Sequence, residues 1–230
     1  MKRKFVIMPV LFSILVFNIH GLEYEFEIKD LQESIEMMII REMAKVDDAY
    51  QKLIALEYIE DVITQERKSI YLNEIVQVLE FLYLDAIENN RDVFNFIYIR
   101  LRVTELLGEI GTEEAKNALV LILQNDNEEK VLVNALMCLN KIADNDNGEI
   151  IANIVLCFKR NYIINGLFNP FIAFATIHAL GEIARESKII LDPDAMGVLS
   201  FISLEARYSR GVRGRAMAEY EYWLSIINNK

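Results

Sequence analysis

The stretch that decides the fold is IRLRVTELLGEIG, residues 99–111. Its apolar residues fall at positions i, i+4, i+7, i+8 and i+11, and they are Ile99, Val103, Leu106, Leu107 and Ile110. Because an α-helix has about 3.6 residues per turn, this spacing puts all of them on one helix face. The stretch therefore predicts an amphipathic helix with one buried side.

The same offsets recur downstream. One copy consists of Val131, Ala135, Cys138, Leu139 and Ile142, and another of Ile172, Thr176, Ala179, Leu180 and Ile183. A degenerate copy consists of Val212, Ala216, Glu219, Tyr220 and Trp223. If Leu107, Leu139, Leu180 and Tyr220 are equivalent, the intervals are 32, 41 and 40 residues. This recurrence predicts a repeat protein.

Each repeat includes a second amphipathic helix, such as residues 113–123. One helix pair cannot bury its apolar stripe alone, whereas stacked pairs form a continuous core. We therefore predict an all-α fold, an α-α superhelix or solenoid of antiparallel helix pairs. Asn169-Pro170 and Asp192-Pro193 predict helix starts, and Gly108 and Gly181 inside helical patterns predict close helix packing.

Three features carry a resemblance to a known family. They are the LGEIG-type string, the Ile99-Arg100 and Val212-Arg213 pairs, and the acidic-Asn turn at residues 125–127. Over residues 92–222 the chain resembles the HEAT-like repeats first named for the phycobilisome lyases, although Leu132 and Ala173 stand where that pattern has Arg. The resemblance implies a HEAT-like solenoid, a scaffold that occurs with many functions.

The N-terminal region differs from the repeats. Residues 1–21 join a basic start to an apolar run, which predicts a signal peptide and hence a periplasmic or otherwise exported protein of the cell envelope. An uncleaved anchor and a buried helix of a cytosolic protein are the alternatives, and only the uncleaved anchor would bring membrane contact. Residues 22–91 are predicted to form a helical cap or degenerate repeats, and residues 92–230 the HEAT-like repeats. The alternating segment Leu22–Lys29 is interpreted as either an added β-strand or a loose arm.

Composition excludes several classes of protein. The chain has 24 Lys and Arg against 35 Asp and Glu, for a net charge of -11, which disfavours a nucleic-acid partner. Its apolar fraction of 53% is too high for a disordered chain. With 2 cysteines, it is not a disulfide scaffold.

The sequence contains none of the common catalytic motifs that we sought, so we expect no enzymatic activity, no catalytic or metal-binding residues and no cofactor. His178 with Glu182 at i+4 is either a base with its carboxylate or a packing histidine. Cys138 and Cys157 are either a disulfide permitted by export or buried free thiols.

Two groups of residues are candidate partner-binding sites. The first is a basic cluster in an acidic chain, formed by Arg207, Arg210, Arg213 and Arg215. These arginines either grip a partner's carboxylates or pair with Glu205 and Glu219. The second is the segment NYIINGLF, residues 161–168, with candidates Tyr162, Ile164, Leu167 and Phe168. It either folds over the core or forms an exposed interface.

These patterns favour a non-enzymatic protein-binding or scaffold module whose partner is another protein. The alternative is an accessory or regulatory subunit, similar to the lyase-type repeat proteins, that presents a substrate protein for modification.

Overall fold

Helices make up nearly all of the residues that a computed structural model describes, which are 35–64, 71–88, 93–142, 148–164, 168–186 and 192–228. Helix α1 covers residues 35–45. The helices that follow are α2 Ala49–Thr64, α3 Leu72–Glu88, α4 Val93–Ile110, α5 Glu113–Asn125, α6 Glu129–Ile142, α7 Glu149–Lys159, α8 Pro170–Glu186, α9 Pro193–Leu204 and α10 Arg210–Asn228. A π-helical turn, Arg160–Ile164, continues α7. These residues contain no strand, and the predicted all-α class is confirmed.

Helix starts follow the capping signals in the sequence. The Asp192 carboxylate accepts hydrogen bonds from the backbone N–H groups of Asp194 and Ala195 at 2.7 and 3.2 Å. Asn169 accepts in the same way from Phe171 and Ile172 at 2.9 and 3.1 Å. Because the first N–H groups of a helix lack intrahelical partners, these side chains fix where α9 and α8 begin.

The helices form two layers. In one, α2, α4, α6, α8 and α10 contact one another in succession, and in the other α3, α5, α7 and α9 do the same. Most helices of one layer also contact a sequence neighbour in the other, and α3 contacts both α4 and α5. The predicted superhelix and the boundary at residue 91 stay predictions.

The repeated apolar stripes form the core between the layers. All stripe residues of the copies in α4, α6 and α8 are buried except Ile110 and Ile142, which are half-buried. In α10, Ala216, Glu219 and Trp223 are buried. Trp223 is fully enclosed, so it closes the last helix pair as the stripe pattern predicts.

Close packing explains two of the helical glycines. A Cβ added to Gly108 on α4 would lie 2.5 Å from Sγ of Cys138 on α6. A Cβ added to Gly181 on α8 would lie 2.6 Å from a carboxylate oxygen of Glu219 on α10. Both glycines therefore permit neighbouring helices of one layer to approach, which confirms the prediction made for them.

The predicted signal peptide and the Leu22–Lys29 segment lie outside the described residues. None of the described helices combines the length and the apolar character that crossing a membrane requires.

Candidate functional site

The structure brings together three of the residues that the sequence placed in separate groups. The guanidinium carbon of Arg207 lies 5.4 Å from the ring centre of Tyr162 and 5.0 Å from that of Phe168. Arg207 also donates two hydrogen bonds of 3.0 Å to the Glu205 carboxylate. Tyr162 donates to the same carboxylate at 3.0 Å. Arg207 therefore fastens the segment after α7 to the loop between α9 and α10.

The π-helical turn sets the position of Tyr162. An extra residue in that turn rotates the chain relative to α7, and the Tyr162 ring lies 4.7 Å, centre to centre, from Phe201 on α9. Phe168 packs on buried Tyr208 at 4.4 Å. Tyr162 and Phe168 are half-buried against the core, so for these two residues the segment folds over the core. The side chains of Ile164 and Leu167 lie outside the described part of the structure.

Electrostatics in this cluster follow from the Arg207–Glu205 contact. Hydrogen bonds from Arg207 lower the pKa of Glu205 to about 2. Hydrogen bonds to Glu205 raise the pKa of Arg207, and burial together with Glu205 raises the pKa of Tyr162. All three groups therefore keep their usual charge at neutral pH.

The remaining arginines of the predicted cluster lie on α10. Arg215 pairs with buried Glu219 at 2.9 Å, and Arg185 on α8 donates to both oxygens of that carboxylate at 2.7 Å. Arg210 is exposed, whereas Arg213 is half-buried. Two of the arginines of the predicted cluster, Arg207 and Arg215, thus pair with Glu205 and Glu219, which was the alternative that the sequence left open.

A cleft of about 160 Å³ opens beside Tyr162, between α7 and α9. Its lining is mainly apolar and consists of Phe158, Lys159, Tyr162, Asp194, Gly197, Val198 and Phe201. Lys159 and Asp194 form a 3.0 Å ion pair at this cleft. The cleft has the size of one apolar side chain, since an engineered cavity of roughly 150 Å³ holds benzene.

A second apolar cleft, of about 420 Å³, lies on the other side of α7, against α5. It is lined by Leu123, Gln124, Asn153, Leu156, Cys157, Lys159 and Arg160. Leu156 is 61% exposed. Arg160 donates to the carbonyl oxygens of Leu123 and Asp126 at 2.8 and 2.6 Å and to that of Gln124, so its guanidinium is held at the end of α5.

The two clefts are the same site in successive repeats. Residues of α7 and the π-helical turn at the larger cleft correspond to α9 residues at the smaller cleft, and the pairs are Asn153 with Asp194, Leu156 with Gly197, Cys157 with Val198, and Arg160 with Phe201. Every pair is separated by 41 positions, the interval from Leu139 to Leu180. We call these two openings the α7 clefts. Sequence reasoning missed them, although the interval of 41 marks the equivalent positions.

Gly197 differs from Gly108 and Gly181, because packing does not require it. A Cβ added there would meet no heavy atom within 4 Å. A glycine inside a helix costs up to about 1 kcal/mol relative to Ala, and nothing in the core offsets that cost here. Because Gly197 has no side chain, the smaller cleft stays open at this position.

The histidine and the two cysteines that the sequence singled out are bonded or buried in the structure. The Nδ1 atom of His178 lies 2.8 Å from Nδ2 of Asn140, while Glu182 binds Arg185 at 2.9 Å. Of the two alternatives that the sequence left open for His178, these contacts favour the packing histidine. Cys138 and Cys157 are buried free thiols, and burial raises the pKa of each to about 11. Over the described ranges, no group of three His, Cys, Asp or Glu residues is arranged to hold a metal ion.

A buried polar cluster that the sequence only partly indicated lies between the layers. Arg100, noted in the repeat pattern, donates to both oxygens of Asp126 at 2.8 and 2.9 Å. Arg160 binds the Asp126 carbonyl from the end of α7. Burial, with a contribution from Asp126, raises the pKa of Tyr83. These contacts tie α4, α5 and α7 together at one end of the larger cleft.

Comparisons with protein-family models, with curated proteins and with solved structures find no match to this chain.

Proposed function

We propose that the protein is a non-enzymatic binding or scaffold module of the cell envelope, built from HEAT-like helix pairs, and that another protein docks on the α7 clefts. The observation that carries this proposal is the pair of repeat-equivalent apolar openings flanking α7, with Leu156 exposed at the larger one. Exposed apolar side chains beside pockets are typical of interface centres. The envelope location rests on the sequence of residues 1–21.

The proposal predicts the result of an affinity-capture experiment from envelope extract. Leu156→Asp places a charge at the larger cleft without disturbing the core, because the side chain is exposed. We expect this variant to lose at least about 90% of the captured partner, as a loss of about 1.4 kcal/mol is tenfold in affinity. Leu204→Asp is the matched control, since Leu204 is 73% exposed on α9 and lines neither cleft.

The same experiment tests the arginines that the sequence singled out. Arg210 is exposed on α10 and lines neither cleft, so Arg210→Glu tests that surface with little effect on packing. If Arg210→Glu loses the partner and Leu156→Asp keeps it, the docking surface lies on α10 and our assignment to the α7 clefts is wrong.

A further inference from the structure

We infer that the larger α7 cleft receives an apolar side chain of the partner that lies beside an acidic residue of the same partner segment. This inference rests on the proposed function and adds the chemical class of the docking segment. It follows from the charges that line the larger cleft, from the contacts of its two cations and from its size.

The charged residues that line the larger cleft are both cations. The described lining contains no carboxylate, and its members are Leu123, Gln124, Asn153, Leu156, Cys157, Lys159 and Arg160. The smaller cleft differs, because Lys159 and Asp194 both line it and form an ion pair there. An anionic group of the partner is therefore complementary to the larger cleft.

Arg160 is held by carbonyl groups and keeps its charge beside the cleft. Its guanidinium donates to the carbonyl oxygens of Leu123 and Asp126 at 2.8 and 2.6 Å and to that of Gln124. The carbonyl groups at the end of a helix carry only partial negative charge, so they do not neutralise a full positive charge. The effect reaches the Cys157 thiol, where burial raises the pKa to about 11 and Arg160 acts in the opposite direction.

Lys159 can exchange its present partner at little cost. Its ammonium group lies 3.0 Å from the Asp194 carboxylate, and the two side chains are 37% and 73% exposed. An exposed ion pair contributes little to stability, because water and salt screen it. A carboxylate that the partner brings to the cleft therefore competes with Asp194 for Lys159.

Leu156 and Lys159 determine where the two groups of the partner lie. They are three positions apart on α7, so their Cβ atoms are about 5–6 Å apart on one helix face. An apolar side chain that packs on exposed Leu156 thus places a nearby acidic residue within reach of Lys159. The cleft of about 420 Å³ is nearly three times the roughly 150 Å³ cavity that holds benzene, so it admits an anchor as large as Trp.

An amide group in the lining favours a protein segment over a free fatty acid. The Nε2 atom of Gln124 on α5 donates to Oδ1 of Asn153 on α7 at 2.8 Å. Because this nitrogen is engaged, the exposed Gln124 side chain offers its carbonyl oxygen to a donor. A backbone N–H of a docked segment supplies such a donor, whereas an acyl chain has none.

The acidic residues of α5 and α7 lie at the opposite ends of these helices from the cleft. Glu114 precedes Gln124 by ten positions on α5, and Glu149 precedes Lys159 by ten positions on α7. With a rise of about 1.5 Å per residue, each separation is about 15 Å along the helix axis. This exceeds the Debye length of about 8 Å at physiological ionic strength, so their repulsion of an acidic partner is screened.

The acidic residues that follow α5 have other surroundings. The buried Asp126 carboxylate accepts hydrogen bonds of 2.8 and 2.9 Å from Arg100, which balances its charge. Glu128 lines a separate polar pocket together with these two residues. The positive character of the larger cleft is therefore local, although the whole chain has a net charge of -11.

The test uses the full-length protein and three short capped peptides that share a Trp-Leu core. The residues on both sides of the core are Glu in the first peptide, Gln in the second and Lys in the third. The set thus varies the charge beside a constant apolar anchor. Fluorescence anisotropy of each labelled peptide, titrated with protein at low and high salt, gives the affinities.

We expect the Glu peptide to bind at least about tenfold more tightly than the Lys peptide, and more weakly as salt rises. Lys159→Gln should weaken binding of the Glu peptide at least about threefold and leave binding of the Gln peptide unchanged. Asp194→Asn removes the competing carboxylate and should strengthen binding of the Glu peptide. Lys141→Gln is the matched control, because Lys141 is exposed at the end of α6 and lines neither cleft. Circular dichroism establishes that each variant remains folded.

Leu156→Asn separates failure of the inference from failure of the proposed function, because it removes the apolar contact without adding a charge. If the Lys peptide binds at least as tightly as the Glu peptide and Leu156→Asn weakens that binding, the partner class is wrong and the docking site stands. If Leu156→Asn changes the affinity of none of the peptides that bind, the docking site fails as well.

Two further results would overturn the inference alone. One is an unchanged affinity for the Glu peptide in both Lys159→Gln and Asp194→Asn, since Lys159 would then not bind the acidic residue. The other is the absence of binding by all three peptides at about 1 mM, because capture from envelope extract tests the proposed function separately. In that second case, a fluorescent fatty acid that binds the native protein and not Lys159→Gln would reassign the cleft to a free anionic lipid.

Discussion

Gly181 on α8 and Glu219 on α10 are in such close contact that the glycine has no room for a side chain. A Cβ at position 181 would lie 2.6 Å from Oε2 and 2.7 Å from Cδ of Glu219. The glycine thus lets a buried carboxylate reach Arg185 and Arg215, which bind it from two helices.

Gly181→Ala is predicted to destabilise the protein by about 1–3 kcal/mol, the usual effect of overpacking a closely packed site. The methyl group would displace Glu219 from its two arginines. Thermal or chemical denaturation followed by circular dichroism measures the change. Gly214→Ala on the same helix pair is the control, and equal melting temperatures for the two variants would contradict this account of Gly181.

Glu219→Gln keeps the shape of the side chain and removes its charge. We expect a loss of about 1–3 kcal/mol of unfolding free energy, below the full effect of breaking a buried ion pair because both arginines are partly exposed. Glu182→Gln, which affects an exposed pair with the same Arg185, should cost no more than about 0.5 kcal/mol. Comparison of the two denaturation curves shows whether the burial of Glu219 causes the larger loss of unfolding free energy.

Gly197→Ala is predicted to raise the stability of the protein by up to about 1 kcal/mol, because Ala favours the helix and the added methyl group meets no neighbour. A higher midpoint in urea, with an unchanged slope, would be the expected result. A destabilised variant would show that the glycine has a packing role that its surroundings do not reveal.

The Glu205 carboxylate should make stability depend on acid pH. Its pKa is about 2 in the folded protein against an ordinary value of 4.5, so its stabilising contribution is present above about pH 4.5 and is lost as pH falls towards 2. The difference in unfolding free energy between the native chain and Glu205→Gln should shrink over that range. In an Arg207→Gln background the same comparison should depend much less on pH, because Arg207 lowers the Glu205 pKa.

Both thiols should react slowly while the protein is folded. Burial raises the pKa of Cys138 and Cys157 to about 11, which leaves about one thiolate in a thousand at pH 8. Their reaction with a chromogenic disulfide reagent should be at least about 100-fold slower than in 6 M guanidinium chloride, a routine denaturing concentration. A rapidly reacting thiol in the native protein would show that one of them is accessible.

Much of the fold could be predicted because it depends on local periodicity. The period of an α-helix determines which residues between Ile99 and Leu107 share a face. The residues next to Asp192 in the sequence are enough to predict that it caps a helix. The close approach of helices at Gly108 was likewise predictable, because a glycine inside a helix lowers the stability of the helix unless close packing requires it.

The site was less predictable because it depends on how helices are placed beside one another. Arg185 reaches Glu219 across 34 residues, a contact that requires the register of α8 against α10. The sequence does not distinguish Leu156 from the other leucines. It becomes a candidate for binding only because the structure places it beside the groove next to α7. Tyr162 and Arg207 were selected from the sequence for different reasons, and their contact depends on the π-helical turn.

The equivalence of Leu156 and Gly197 has a consequence for how such a protein can change during evolution. Because each opening belongs to one junction between neighbouring repeats, a substitution at the matching position resizes that opening and leaves the others as they were. The openings can then diversify one junction at a time, and duplication of a repeat supplies a fresh copy on which selection can act.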